Sequence, residues 1–172
     1  MKIQVLSDVH FEFHKDRGRA FVSRLQPDGV DVLVVAGDLA SERYLEQALL
    51  MICERYAYVV YISGNHEMYR SSPAAFTLAK QRIIARISNL RWLDDDVAEI
   101  GGVRFVGTPL WFPESPETGR MASWLNDFIY IQGLAPWVWE RNRAAREFLK
   151  REVCAGDVVV THHLPTQHSV AP

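Results

Sequence analysis

Short apolar runs that stop abruptly at polar side chains place the strongest constraint on the fold. Residues 3–6, 32–35 and 59–62 are rich in Val, Ile and Leu, and longer amphipathic stretches separate them. Residues 158–160 form one more run of this kind. Apolar strands that are covered on both faces and alternate with helices are typical of βαβ units and a mostly parallel sheet. The sequence therefore predicts an α/β fold.

The middle of the chain departs from this alternation. The stretch 90–110 has apolar residues on both sides of Gly101-Gly102 and predicts a β-hairpin. Prolines, glycines and aromatic residues are mixed over residues 111–136, which indicates a long ordered loop with short helical pieces. Loops of this length often cover active sites. A helix is predicted over residues 138–153.

Size and composition predict one domain over residues 1–172. The chain has 48% hydrophobic residues, enough to bury a core, and it contains no internal repeat or linker. Its 19 basic and 21 acidic residues give a net charge of -2. The overall charge therefore gives no reason to expect a nucleic-acid patch or a membrane partner.

Two further features favour a cytoplasmic location. The first apolar run is too short for a signal peptide, and no apolar run approaches the roughly 18 residues of a membrane span. Cys53 and Cys154 lack the spacing of a zinc site, and we interpret both as reduced packing residues.

Groups that can bind cations follow the ends of the apolar runs. Because the carboxyl ends of parallel strands line one crevice, we expect these groups to converge. A mixture of carboxylate, amide and imidazole groups suits manganese, iron or zinc better than calcium. Taken singly, each group is explained as a strand-end, turn or capping residue, but together they favour a metal site. The candidates are Asp8, His10, Asp38, Asn65, His66, His162 and His163.

Four short blocks carry these candidates in a fixed order. They are Asp8-Val9-His10, Gly37-Asp38, Gly64-Asn65-His66-Glu67 and Thr161-His162-His163. In this order the sequence resembles the calcineurin-like metallophosphoesterase family, which is marked by DxH, GD, GNH(D/E) and a strand-terminal His block. The resemblance implies a sandwich fold, with a mostly parallel sheet flanked by helices and a second sheet. It also implies a phosphodiesterase or phosphatase. We expect a small phosphate ester as the substrate, because the sequence shows no recognition domain.

The resemblance further implies a role for each matching residue. His66 would be the general acid or would stabilise the transition state beside the leaving group. Two divalent ions, manganese with iron or zinc as alternatives, would activate a hydroxide and neutralise charge on phosphorus. The implied ligands are Asp8 and His10 for the first ion, Asp38 as a bridge, and Asn65 and His162 for the second.

The family's final GHxH or GHxN block has no counterpart after His163. In the family this block gives one ligand to each ion, so we expect a C-terminally truncated domain without its closing strands and with a weak second site. Waters, His168 or a neighbouring subunit are candidates for the open positions, and a homodimer would cover the open sheet edge. The alternative hypothesis is a metal-binding remnant with weak or no catalytic activity.

Several other side chains have two interpretations. His163 and His14 either touch the metal or phosphate site or have packing and surface roles. Asn126-Asp127 lies in a segment whose counterparts in the family approach the active site. The aromatic residues of that segment are interpreted as core rather than as a substrate platform, and they are Trp111, Trp124, Phe128 and Tyr130.

Overall fold

The computed structural model describes residues 1–166 and 168, and it has two sheets with helices packed around them. The predicted α/β class is confirmed. The strands are β1 (Ile3–Leu6), β2 (Val32–Ala36), β3 (Val59–Ile62), β4 (Leu90–Trp92), β5 (Asp96–Ile100), β6 (Val103–Thr108) and β7 (Val158–Thr161). The α-helices are α1 (Arg19–Arg24), α2 (Glu42–Cys53), α3 (Pro73–Ile84), α4 (Pro116–Met121), α5 (Asn126–Tyr130) and α6 (Leu134–Glu152).

The first sheet has the order β1-β2-β3-β4, and its strand pairs are parallel. Successive side chains of a strand point to opposite faces. On β2, Leu33 packs in the core cluster that contains Leu45 and Leu49 of α2. Val34 packs in a second cluster with Phe105 of β6. Because helices cover one face and the other sheet covers the second face, the central strands are apolar along their whole length.

The second sheet has the order β5-β6-β7. The predicted antiparallel hairpin is formed by β5 and β6, with Gly101 and Gly102 in the left-handed region at φ 56° and 77°. The hairpin prediction for residues 90–110 was wrong at its start, because Leu90–Trp92 pairs with β3 in the first sheet. The last strand, β7, pairs in parallel with β6, so the strand before His162 belongs to the second sheet.

The aromatic segment is only partly core. Trp111 is 2% exposed, and its carbonyl accepts a hydrogen bond from Asn142 of α6. Trp124 and Tyr130 are 65% and 44% exposed, so the interpretation as core is wrong for these two. The interpretation of Cys154 as a packing residue is also wrong, because this side chain is exposed. In residues 1–166 and 168, no helix is both long and apolar enough to cross a membrane.

Candidate metal centre

Backbone hydrogen bonds join the loop after β1 to the loop after β2 and bring three predicted ligands together. The backbone N–H of Asp8 donates to the Gly37 carbonyl at 3.2 Å, and that of His10 donates to the Asp38 carbonyl at 3.0 Å. Asp8, His10 and Asp38 each have φ of 53°, in the left-handed region that side chains with a Cβ rarely adopt. Such strain is typical of functional sites. The ligand atoms of these three residues lie within 4.8 Å of one another.

The carboxylate of Asp38 lies between two imidazoles. Its Oδ2 is 3.8 Å from Nε2 of His10, and its Oδ1 is 3.6 Å from Nε2 of His162. Asp38 is 3% exposed, so its carboxylate is shielded from bulk water. A carboxylate whose two oxygens face two different sets of ligands can bind one cation with each oxygen and so bridge the two ions.

The ring of His162 faces the side-chain oxygen of Asn65. Its Nδ1 is 2.8 Å from the Ala36 carbonyl, which accepts the Nδ1 proton, so the neutral ring presents a lone pair at Nε2. That Nε2 is 3.1 Å from Oδ1 of Asn65, which is also an acceptor. Two acceptors that face each other are unfavourable alone but suit a shared cation. Nε2 of His162 and Oδ1 of Asn65 are therefore suitable ligand atoms for a metal ion at this position.

The amide of Asn65 is oriented by Asp127 of α5. Its Nδ2 donates to Oδ1 of Asp127 at 2.7 Å, and the hydroxyl of Tyr69 donates to the same oxygen at 2.8 Å. Burial and the nearby Asp127 carboxylate raise the pKa of Tyr69 well above its usual value, so the phenol keeps its proton. These contacts direct Oδ1 of Asn65 toward His162. The long loop therefore reaches the candidate metal centre through Asp127.

A second cluster of ligand-type groups joins His66 to Glu12. Nδ1 of His66 is 2.9 Å from Oε1 of Glu12, and the ring stacks on Tyr69 with the centroids 4.1 Å apart. Burial lowers the pKa of His66, but the hydrogen bond to Glu12 and the charge of Asp38 outweigh burial and raise this pKa above its usual value. His10 also belongs to this cluster, with its Nδ1 3.5 Å from Oε1 of Glu12. That Nδ1 and the other carboxylate oxygen of Glu12 are buried without a hydrogen-bond partner. Orphaned buried polar atoms mark a place where protein groups alone do not complete the site.

The buried carboxylate of Glu67 fixes the loops after β2 and β3. It accepts hydrogen bonds from the N–H groups of Asp38, Leu39 and Gly64 at 3.2, 2.8 and 2.8 Å. The hydroxyl of Tyr61 donates to it at 2.6 Å. Burial and the Asp38 carboxylate raise the pKa of Glu67, whereas the hydrogen bonds from Tyr61 and Leu39 lower it. Glu67 is therefore a positioning residue, because its oxygens accept hydrogen bonds from the two loops and from Tyr61.

Two glycines of the motifs make room for ligands. A Cβ at Gly64 would collide with the side chain of Asp38, and a Cβ at Gly37 would collide with the ring of His162. Gly37 also has φ of 86°, which glycine adopts without strain. The glycines of the GD and GNHE blocks therefore allow the loops to approach the ligand side chains closely.

The structure brings the six residues of the predicted site into one region and leaves three other histidines outside it. His163 packs on Trp111 with the centroids 5.0 Å apart, and its Nδ1 contacts the Pro109 carbonyl at 3.1 Å. His14 contacts the Val9 carbonyl, and His168 is exposed. None of the three belongs to a ligand cluster within the described part of the chain.

Sequence reasoning missed Glu12 and gave Asp127 only a weak role. Glu12 stands two positions after His10, on the same loop, so a carboxylate close to the DxH block was the available signal. It belongs to no motif, however. Asp127 had no local signal beyond its place in the aromatic segment.

Comparisons with known proteins give the family of this chain. The family model for calcineurin-like phosphoesterase matches residues 1–167. The chain therefore belongs to the calcineurin-like phosphoesterase family, a class of enzymes that hydrolyse phosphate esters with the help of bound metal ions. No curated protein matches the sequence.

Solved structures share the fold. The crystal structure of the phosphopantetheinyl hydrolase from Mycobacterium tuberculosis has a TM-score of 0.68 and 21% identity, covering 95% of this chain and 68% of that one. Another crystal structure has a TM-score of 0.60 and 15% identity, covering 96% of this chain and 70% of that one. A protein of unknown function from Aquifex aeolicus has a TM-score of 0.41 and 16% identity, covering 93% and 88% of the two chains. At these identities the first two likenesses concern the fold alone.

Proposed function

We propose that this protein hydrolyses small phosphodiesters or phosphomonoesters at a dinuclear metal centre built around Asp38. The observation that carries the proposal is the position of Asp38, whose two oxygens face His10 and His162 from opposite sides. The facing acceptors of His162 and Asn65 support a cation on one side. The cluster of Asp8, His10 and Asp38 supports a cation on the other.

The residues divide into two ligand sets. Asp8 and His10 would hold the first ion, Asn65 and His162 would hold the second, and Asp38 would contact both. Divalent ions bound there supply Lewis acidity, which lowers the pKa of water and neutralises charge on the phosphoryl oxygens. The mixed oxygen and nitrogen donors favour manganese, with iron and zinc as alternatives.

His66 is the group that would handle the proton of the leaving oxygen. Its Nδ1 bonds to Glu12, so the proton at Nδ1 is held by that carboxylate and Nε2 is the atom that gives a proton away. The Glu12 carboxylate stabilises the charged imidazole, and stacking on Tyr69 fixes the ring plane. Asp127 and Glu67 act indirectly, because they orient Asn65 and the ligand loops.

The remaining sequence predictions are retained as proposals. They are a single domain, a cytoplasmic location, a homodimer and a preference for small substrates. Light scattering at micromolar concentration tests the homodimer, since a monomer mass would contradict it.

The first experiment is hydrolysis of bis-p-nitrophenyl phosphate by the full chain, stripped of metal with a chelator and then titrated with manganese. We expect activity to return with manganese and to fall by about 10²-fold or more in His66→Ala, as for loss of a general acid. His168→Ala is the matched control, because this exposed histidine lies outside both clusters, and its activity should equal that of the unmodified chain. Folded protein that stays inactive at every manganese concentration would instead support the remnant hypothesis.

A further inference from the structure

A cavity of about 730 Å³ opens beside His66. His66 and Glu12 line it, whereas none of the five proposed metal ligands does. The backbone N–H of His66 donates to Asp38 at 2.9 Å, and the His66 ring centroid lies 4.3 Å from that of His10, so the cavity adjoins the proposed metal centre. Because His66 is the proposed proton donor to the leaving oxygen, the cavity lies on the side from which the leaving group departs.

Three arginines in the cavity lining give it a positive surplus. Arg17, Arg43 and Arg70 line it together with the carboxylates of Glu12 and Glu42. Glu12 is already engaged with His66, at 2.9 Å. Within residues 1–166 and 168, none of the three guanidinium groups forms an ion pair with a carboxylate. The lining therefore offers cationic donors that the protein itself does not neutralise.

Arg17 is held in place by groups that leave its charge uncompensated. Its guanidinium carbon lies 4.3 Å from the centroid of the Tyr44 ring, and one of its N–H groups donates to the Glu12 carbonyl. Arg43 approaches the same ring, with its guanidinium carbon 5.4 Å from the centroid. A guanidinium group is a planar fork of donors that matches phosphate oxygens. Two such groups beside one phenol ring offer N–H donors to a phosphate in this cavity.

Aromatic side chains line the part of the cavity next to His66. Tyr69 and Tyr130 have ring centroids 5.4 Å apart, and Tyr130 is 44% exposed. Phe13 is 73% exposed, and its ring lies edge-on to that of His66 at 6.0 Å. Exposed ring faces beside a polar receptor suit the carbon skeleton of an organic phosphate.

We propose that this cavity binds the leaving group and that Arg17, with Arg43 and Arg70, selects leaving groups that carry a second phosphate. The inference rests on the proposed function, because the role of His66 defines the leaving-group side. In that hydrolysis, water supplies the oxygen of the new P–O bond, the bond to the leaving oxygen breaks, and His66 supplies a proton to that oxygen. The second phosphate does not react and contributes binding alone.

Calorimetry tests the receptor without catalysis. Metal-stripped full chain is titrated in chelator with thymidine 3′-phosphate and, separately, with thymidine. We expect the phosphate to tighten binding by about 10-fold or more, as for charge-assisted hydrogen bonds, and Arg17→Met to remove that advantage. Arg43→Met repeats the test without disturbing the Glu12 carbonyl, and the exposed Arg146→Met on α6 is the matched control. Equal binding of the two ligands, or an advantage that survives both cavity variants, would overturn the proposal.

A substrate pair tests the same receptor during turnover. Thymidine 5′-(methyl phosphate) and its 3′-phosphorylated form differ only in the second phosphate, carry no aryl leaving group, and give products that chromatography separates. We expect a kcat/KM about 10-fold higher for the phosphorylated form and release of thymidine 3′-phosphate, with the preference reduced in Arg17→Met and Arg43→Met. A preference that is absent, or unchanged in both variants, would contradict the receptor. Failure of the hydrolysis itself would appear first with bis-p-nitrophenyl phosphate, and the calorimetry would still decide the receptor.

Discussion

Asp127 accepts a hydrogen bond from the side chain of Asn65 at 2.7 Å, although the two residues are 62 positions apart in the chain. The bond sets which end of the Asn65 amide faces His162. The segment that sequence analysis treated as a cover for the site therefore also orients one of its proposed ligands.

Replacing Asp127 with Ala should weaken binding of one manganese ion by about 10-fold to 100-fold, as for the loss of other groups that orient a ligand. The reason is that Nδ2 of Asn65 loses the acceptor that holds the amide in place. Manganese titration followed by electron paramagnetic resonance measures this. Asp28→Ala, at an exposed carboxylate, is the control, and unchanged affinity in Asp127→Ala would exclude the orienting role.

Replacing His162 with Ala should reduce the number of manganese ions bound from two to one. His162 and Asn65 face each other on one side of Asp38, whereas Asp8 and His10 occupy the other side. Equilibrium dialysis of the stripped protein gives the stoichiometry. His168→Ala should still bind two ions, and a variant at His162 that does the same would contradict the division into two ligand sets.

Replacing Gly64 with Ala should abolish manganese binding at the shared ligand and lower the melting temperature. The added methyl group would occupy the space of the Asp38 carboxylate, so the loop or the carboxylate must move. Gly119→Ala is a matched control, because a Cβ there meets no atom within 4 Å. Thermal unfolding and manganese titration of both variants should therefore diverge, and equal behaviour would refute the steric argument.

Replacing Glu67 with Gln should lower the free energy of unfolding by about 1–3 kcal/mol, the cost of leaving a buried donor unsatisfied. In the unmodified protein, three backbone N–H groups donate to the carboxylate oxygens of Glu67. A glutamine side chain keeps one of these oxygens but places an NH2 group against N–H donors in the position of the other. Urea denaturation measures the change. The exposed Glu99→Gln should be neutral, so an equal effect of the two substitutions would show that the Glu67 bonds contribute little.

The sequence predicted the parts of the fold whose signals are local. Strands β2 and β3 are continuous apolar runs because both of their faces are covered, and the hairpin follows from two adjacent glycines. The strand Leu90–Trp92 has only three residues, too few to show a pattern, and was missed. The sequence also did not predict that β7 belongs to the second sheet, because β7 pairs with β6, whose residues lie about fifty positions earlier in the chain.

The candidate site shows the same division. Asp8, His10 and Asp38 stand in short blocks at strand ends, where the chain direction alone brings them together. Glu12 and Asp127 belong to no block, and their contacts with His66 and Asn65 depend on how distant loops pack. Side-chain contacts of this kind are set by tertiary packing, which residue spacing does not encode.

The hydrogen bond from His162 to the Ala36 carbonyl joins the end of one sheet to the end of the other. Asp38 follows β2, whereas His162 follows β7, so the proposed centre lies on the seam between the two layers. Ions that bind only when the layers are docked add their binding free energy to that docking. Removal of metal should therefore speed hydrogen exchange at amides of β6 and β7, far more than at amides of α3 on the opposite side of the first sheet.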